Sequence, residues 1–167
     1  VHQGAYDLTA RLEYMDEEGI AAQIGYTNLL GFGGPKALKV DDDLPLECVA
    51  LVSCGGATGW GSAANRAAVG PGDTVVVVGI GGIGINAVQG AKMAGAKRVI
   101  AVDPVEFKRE KAMEMGATHT FASMAEAIPA VTEMTWGQMA DKVIMTPGVL
   151  HGEMMEEGMT LVGKGGT

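Results

Sequence analysis

Cysteine is scarce in this chain, with Cys48 and Cys54 the only two in 167 residues. That scarcity excludes a disulfide framework and points to a reducing compartment. No uninterrupted apolar run approaches the ~18 residues of a membrane span, and no signal peptide is visible. Basic residues are in deficit, 12 Lys and Arg against 20 Asp and Glu, for a net charge of -8. Nucleic-acid phosphates would be repelled by that balance, so neither nucleic acid nor membrane is expected as a partner. A soluble cytoplasmic enzyme suits the acidity, most of which serves general solubility. What the chain does have is 47% hydrophobic and 19% charged residues, the composition of an ordinary globular protein. Its length suffices for one domain with a core, or one domain plus part of another.

The most informative stretch is Thr74-Val75-Val76-Val77-Val78-Gly79-Ile80-Gly81-Gly82-Ile83-Gly84, followed about 20 residues on by Asp103. It reads as a buried strand, a glycine turn, a helix start, and a second strand (Val99 to Val102) closed by a carboxylate. Each part has a task in holding a dinucleotide. Gly79 turns the chain sharply off the strand, Gly81 keeps a side chain out of the pyrophosphate's way, and Gly84 lets the helix pack close to the sheet. The helix N-terminus offers unpaired N–H groups to the phosphates, and Asp103 can accept both ribose hydroxyls of the adenosine half. A glycine triplet alone would be weak in a chain with 26 glycines; the complete strand–turn–helix–strand–acid order is specific.

Around that unit the chain alternates strands and helices. Strand Thr74 to Val78 leads to a helix near Ile83 to Ala94, strand Val99 to Val102, and a charged helix from Pro104 to Met115. A short strand near His119 to Phe121, a helix from Met124 to Met134, strand Lys142 to Met145 and a helix near Gly152 to Val162 follow. Alternation of this kind implies crossover units and a doubly wound, mainly parallel sheet. The unalternating valines of Val75 to Val78 suit burial on both faces. Upstream, a helix opening at Pro45 is expected to run to a break at Cys54-Gly55-Gly56, and a second helix from Thr58 to Ala68. Residues 1–50, with a short strand at Ala37 to Val40 and many turns, read as the remnant of a β-rich domain; residues 51–167 read as the dinucleotide-binding domain. Both ends look cut. The turn at Lys164-Gly165-Gly166 should feed another strand, so a six-stranded sheet would lack at least its last two strands here, leaving its C-terminal edge incomplete.

Several separated stretches resemble the medium-chain, zinc-dependent alcohol dehydrogenases. They are Val52-Ser53-Cys54-Gly55-Gly56-Ala57-Thr58-Gly59-Trp60-Gly61-Ser62-Ala63, Pro71-Gly72-Asp73-Thr74, the glycine turn, and Gly116-Ala117-Thr118-His119. The resemblance covers roughly Ala37 to Thr167. Ala101-Val102-Asp103-Pro104-Val105-Glu106 and Thr135-Trp136-Gly137-Gln138-Met139-Ala140 look most like an actinobacterial branch with nicotinoprotein-type enzymes that hold NAD tightly. The resemblance implies NAD bound by Gly79, Gly81, Gly82 and Gly84 at the pyrophosphate, Ile83 and Thr58 at the nicotinamide, and Asp103 and Lys108 at the adenosine ribose. It also implies that Cys54 is one protein ligand of a catalytic zinc, that the preceding remnant is GroES-like, and that the intact protein is a homo-oligomer acting on a small alcohol or aldehyde. The family's first zinc Cys, its Gly-His-Glu motif and its Cys-rich loop do not occur in this chain, so the piece alone is expected to be inactive and no catalytic residue is assigned within it.

The residues also support plainer readings. By composition, a Cys beside Gly-Gly is a small buried residue, and Cys48 sits in an apolar helix as core. His2, His119 and His151 read as surface or edge residues. Lys108, Arg109 and Lys111 alternate with Glu106, Glu110 and Glu114 on a solvated helix face with intrahelical pairs such as Glu106–Arg109; Lys108 is set apart only by the resemblance. The 11 methionines read as adaptable core filler. Asp103 favours NAD over NADP, since a 2′-phosphate would face a carboxylate. Two other functions stand beside the dehydrogenase, a non-catalytic NAD-binding module and a zinc-independent quinone or enone reductase of the same superfamily; a methyltransferase with a glycine-rich turn is a distant further one, in which the Cys54 motif has no place.

Overall fold

The computed structural model describes residues 52–167. The expectations for residues 1–50, for the helix opening at Pro45, for Cys48 and for His2 lie outside the described residues. A parallel sheet of four strands forms the centre: β1 (Thr74–Val78), β2 (Arg98–Val102), β3 (His119–Phe121) and β4 (Lys142–Met145), in the spatial order β3-β2-β1-β4. β1 is buried along its whole length, as a run of β-branched valines between two helical layers should be. Its side chains divide by the period of two. Val75 and Val77 join Val99, Ala101 and Ile144 on one face. Val76 and Val78 join Ile100 and Val102 on the other.

The first face is covered by α2 (Gly82–Met93), whose buried residues Gly84, Ala87, Val88 and Ala91 recur at helical spacing. The second is covered by α4 (Met124–Met134) and α5 (Gly152–Leu161), through Met124, Ala127, Val131 and Leu161. Ser123 caps α4 by accepting the Glu126 N–H, while the Glu126 carboxylate accepts the Ala122 N–H, so two donors at the helix start are satisfied reciprocally. After α5 the chain returns along the outer side of β4, where Val143 N–H donates to the Thr167 carbonyl and Thr167 N–H to that of Asp141.

Most elements lie where the sequence places them; two differ. Residues 52–66 form one helical run, with π-wound turns at Val52–Gly56 and Ser62–Arg66 on either side of an α-helical turn, α1 (Ala57–Gly61). There is no break at Cys54-Gly55-Gly56 and the helix does not wait for Thr58. Gly59, further along the run, serves proximity: a methyl group there would overlap the Ile83 carbonyl, so the run can lie directly against α2. The charged helix α3 is Glu106–Glu114, starting later than Pro104. Asp103 Oδ1 accepts the Val105 N–H at 2.9 Å and holds Pro104 and Val105 in a turn outside the helix.

The methionines are only partly filler. Among the described residues Met124 alone is buried, Met134, Met139, Met145 and Met154 are partly covered, and Met93 and Met159 stand largely in solvent. Helix α3 buries little beyond Ala112, consistent with a solvated charged face, but the expected Glu106–Arg109 pair is absent. Arg109 donates to the Asp103 and Pro104 carbonyls at 2.8 and 2.9 Å, because those oxygens lie just off the helix start where no intrahelical donor reaches them. The pair that does form is Lys111–Glu114.

Candidate functional site

β1 is followed by a helix leading to β2 on one side, and its other neighbour, β4, is reached from β3. The strand order therefore reverses beside β1, and in open α/β sheets the crevice at the carboxyl ends of strands flanking such a point receives ligands. A cleft of about 640 Å³ lies there, lined by the glycine turn, by Val102 to Val105 and Lys108 after β2, by Ala122 to Met124, and by Thr146 to Gly148 after β4.

The glycine turn forms the floor. Gly79 has φ of +87°, the left-handed region that a side chain disfavours. Gly84 lies under the turn with its Cα against the Gly79 carbonyl, where a methyl group would collide. At Gly81 and Gly82, by contrast, a methyl group would meet no atom of the described residues within 4 Å. Those two positions face the open cleft. No side chain caps α2, and its first intrahelical bond runs from Ile85 N–H to the Gly81 carbonyl. The N–H groups just before Ile85 thus stand at the positive end of the helix without intrahelical partners.

Asp103 stands across the cleft, 4% exposed. Its Oδ2 accepts the Ile80 N–H at 2.8 Å, its Oδ1 the Val105 N–H, and Lys108 Nζ approaches Oδ2 at 3.4 Å. The carboxylate is therefore part of the glycine turn's own scaffold, which sequence spacing did not suggest. A buried carboxylate with this many donors is held in one orientation with a compensated charge.

The residues singled out from the sequence separate into two groups. Gly79, Gly81, Gly82, Ile83, Asp103 and Lys108 line one cleft. Gly84 is packed beneath it, and Thr58 is exposed on the helical run, its carbonyl accepting the Ser62 hydroxyl. Cys54 is a free, exposed thiol, contrary to the buried small residue that composition suggested. It lies in the π-wound turn Val52–Gly56. Gly55, its neighbour, lies beside the Gly82 carbonyl, so the segment passes the glycine turn. No group of three His, Cys, Asp or Glu able to hold a metal occurs among the described residues. His119 is half-buried on edge strand β3, with Nδ1 2.9 Å from the Thr118 hydroxyl, and His151 is exposed at the start of α5.

Thr146, Pro147 and the segment Ala122 to Met124 also line the cleft, and sequence reading passed over them. Thr146 directly follows a strand, which is a usable signal, but adjacency of β4 to β1 is a property of strand order and not of local pattern.

The zinc-binding dehydrogenase family matches residues 82–167, about half of the chain. An NDMA-dependent alcohol dehydrogenase of Amycolatopsis methanolica is 60% identical over 130 residues, covering 78% of this chain and 35% of the relative. Alcohol dehydrogenase B of Mycobacterium tuberculosis is 48% identical over the same length and the same shares. Among solved structures, benzyl alcohol dehydrogenase from Acinetobacter calcoaceticus superposes with a TM-score of 0.69 at 32% identity, over 77% of this chain and 35% of that one. This chain spans about a third of the length of these curated relatives. The resemblance read from the motifs and the doubly wound fold agree with these matches.

Proposed function

This chain belongs to the zinc-binding dehydrogenase family, and from that premise we propose that it carries the NAD-binding part of an alcohol dehydrogenase. The observation that supports this most is the pairing of an open, donor-rich glycine turn with a fixed carboxylate across one cleft. The pyrophosphate would meet the amides from Gly81 to Gly84, which have no partner among the described residues, where the partial positive charge of α2 favours an anion. Space for it exists because Gly81 and Gly82 carry no side chain. Asp103 would accept the adenosine ribose hydroxyls, with Lys108 beside it, and a 2′-phosphate would be repelled; NAD is therefore the proposed cofactor rather than NADP. Ile83, on the cleft wall, and Thr58, on the neighbouring helical run, are proposed to flank the nicotinamide. A nicotinamide held there would supply hydride chemistry.

The described residues do not by themselves fit a zinc centre. Three protein ligands are needed, and Cys54 has no two companions among them. No step is assigned to the metal here; Cys54 is proposed as one ligand whose partners come from outside residues 52–167. The reading extends to a small alcohol or aldehyde as substrate, to a homo-oligomeric cytoplasmic protein, and to a division into residues 1–50 and 51–167. No helix among the described residues is long and apolar enough to cross a membrane.

Calorimetric titration of the chain with NAD and NADP tests the cofactor assignment: NAD should bind and NADP should bind at least tenfold more weakly. Absence of NAD binding overturns it. For catalysis, Cys54→Ser in the full-length protein should remove both bound zinc and alcohol oxidation. Full-length protein that binds NAD but never oxidises an alcohol is the non-catalytic module instead.

A further inference from the structure

The glycine turn is gripped from both of β1's neighbours. On the β2 side, Gly79 N–H donates to the Val102 carbonyl and Ile80 N–H to Asp103. On the β4 side, the grip is Thr146. Its N–H donates to the Val78 carbonyl at 2.8 Å, as a continuation of the ladder. Its hydroxyl lies 2.6 Å from the Gly79 carbonyl and 3.2 Å from that of Val78. One hydroxyl has one proton, and the shorter contact identifies the Gly79 carbonyl as its main acceptor. The same oxygen is pressed from below by Gly84, and the Gly79 Cα is pressed by the Thr146–Pro147 backbone. Thr146 is thus the side chain that fixes which way the Gly79 peptide faces.

Resting on the NAD reading above, we propose that Thr146 is a positioning residue for the pyrophosphate: its hydroxyl holds the Gly79 carbonyl turned away from the cleft so that only N–H donors face the phosphates. The physics is directional. A peptide that swings its carbonyl toward the floor of an anion site replaces attraction with repulsion, and the amides following it lose their shared aim. With the hydroxyl absent, the Gly79 oxygen loses its side-chain donor in a half-buried setting and gains a reason to reorient. Thr146 acts through the backbone of the turn, not through the ligand.

The test uses the full chain with Thr146→Val, which keeps the branched shape and the backbone donor, and Thr146→Ser, which keeps the hydroxyl. NAD is followed by calorimetry, adenosine by NMR titration, and the amide signals of Gly81 to Gly84 by NMR without ligand. Thr146→Val should weaken NAD about tenfold, in line with loss of one hydrogen bond to a partly buried group, leave adenosine unchanged, and shift the amide signals. Thr146→Ser should restore all three to within about twofold of the parent. NAD affinity unchanged in Thr146→Val overturns the proposal, as does an equal loss of NAD and adenosine, which would mark a general structural role. Weaker NAD with unmoved amide signals also overturns it, because the hydroxyl would then touch the ligand itself. If the parent chain binds no NAD, the cofactor reading fails and this inference falls with it; if the parent binds and the variants behave alike, this inference alone fails.

Discussion

The two ends of β1 are each tied by an aspartate at the end of a neighbouring strand, Asp141 just before β4 and Asp103 just after β2, and the two aspartates sit in very different surroundings. At the amino end, Asp141 Oδ2 accepts the Thr74 N–H at 2.7 Å, and Asp73 Oδ2 accepts the Gly70 N–H at 2.9 Å. Each of those carboxylates closes an N–H that would otherwise lack a partner. At the carboxyl end, Asp103 Oδ2 likewise accepts the Ile80 N–H at 2.8 Å, but the amides that follow are left open beside a cleft. One end of the strand is finished. The other is held rigid around donors that a ligand can use. If the cleft receives NAD as proposed, anchoring and recognition are separable even when both use a carboxylate on a backbone N–H.

Substitutions can break this contrast or sharpen it. The largest effect is expected from Gly84→Ala, whose methyl group would collide with the Gly79 carbonyl. Backbone cannot yield there as a side chain would, so a loss of about 2–4 kcal/mol of stability in denaturant unfolding is expected, with NAD binding lost alongside. A variant as stable as the parent would show that α2 does not need that proximity. Next comes Asp103→Ala. It removes the proposed ribose acceptor and frees the Ile80 and Val105 donors together, so NAD should weaken by roughly 10- to 100-fold while the NAD/NADP preference shrinks. An unchanged preference would remove Asp103 from the ribose.

The remaining two form a matched pair. Gly81→Ala places a methyl group where no atom of the described residues lies within 4 Å, at a φ of -94° that alanine accepts. Stability should stay within about 0.5 kcal/mol, while NAD affinity should fall at least tenfold because the methyl occupies the proposed pyrophosphate space. Asp141→Ala should do the reverse: about 1 kcal/mol of stability is lost with the Thr74 bond, and NAD affinity in the folded protein is unaltered. If both variants change stability and binding in the same proportion, the two ends of β1 are not functionally distinct.

Local pattern carried far in this chain because β1 and β2 are rich in β-branched and small apolar residues and glycine or proline lies close by at their ends. The limits of β1, β3, α4 and β4 follow directly from residue type and period. It failed at Cys54-Gly55-Gly56, where glycine reads as a helix breaker in isolation. Here Gly55 and Gly56 stay inside a helical run, which Gly59 further along lets lie against α2, a closeness that exists only once α2 is beside it. It failed again at Arg109, whose partners are carbonyls exposed by a turn that Asp103 creates.

By sequence alone, the chain determined the strand–turn–helix–strand unit, the placement of glycines where side chains cannot go, and the acid at the end of the second strand. These are local matters, set by backbone freedom and burial over a few residues. Tertiary structure decided that Asp103 braces the glycine turn, that Thr146 grips it from the opposite side, and that Cys54 faces outward. The first two depend on which strand lies next to which, and strand order arises from packing two helical layers onto one sheet, beyond the reach of any short stretch of residues; the third depends on how the helical run that carries Cys54 packs.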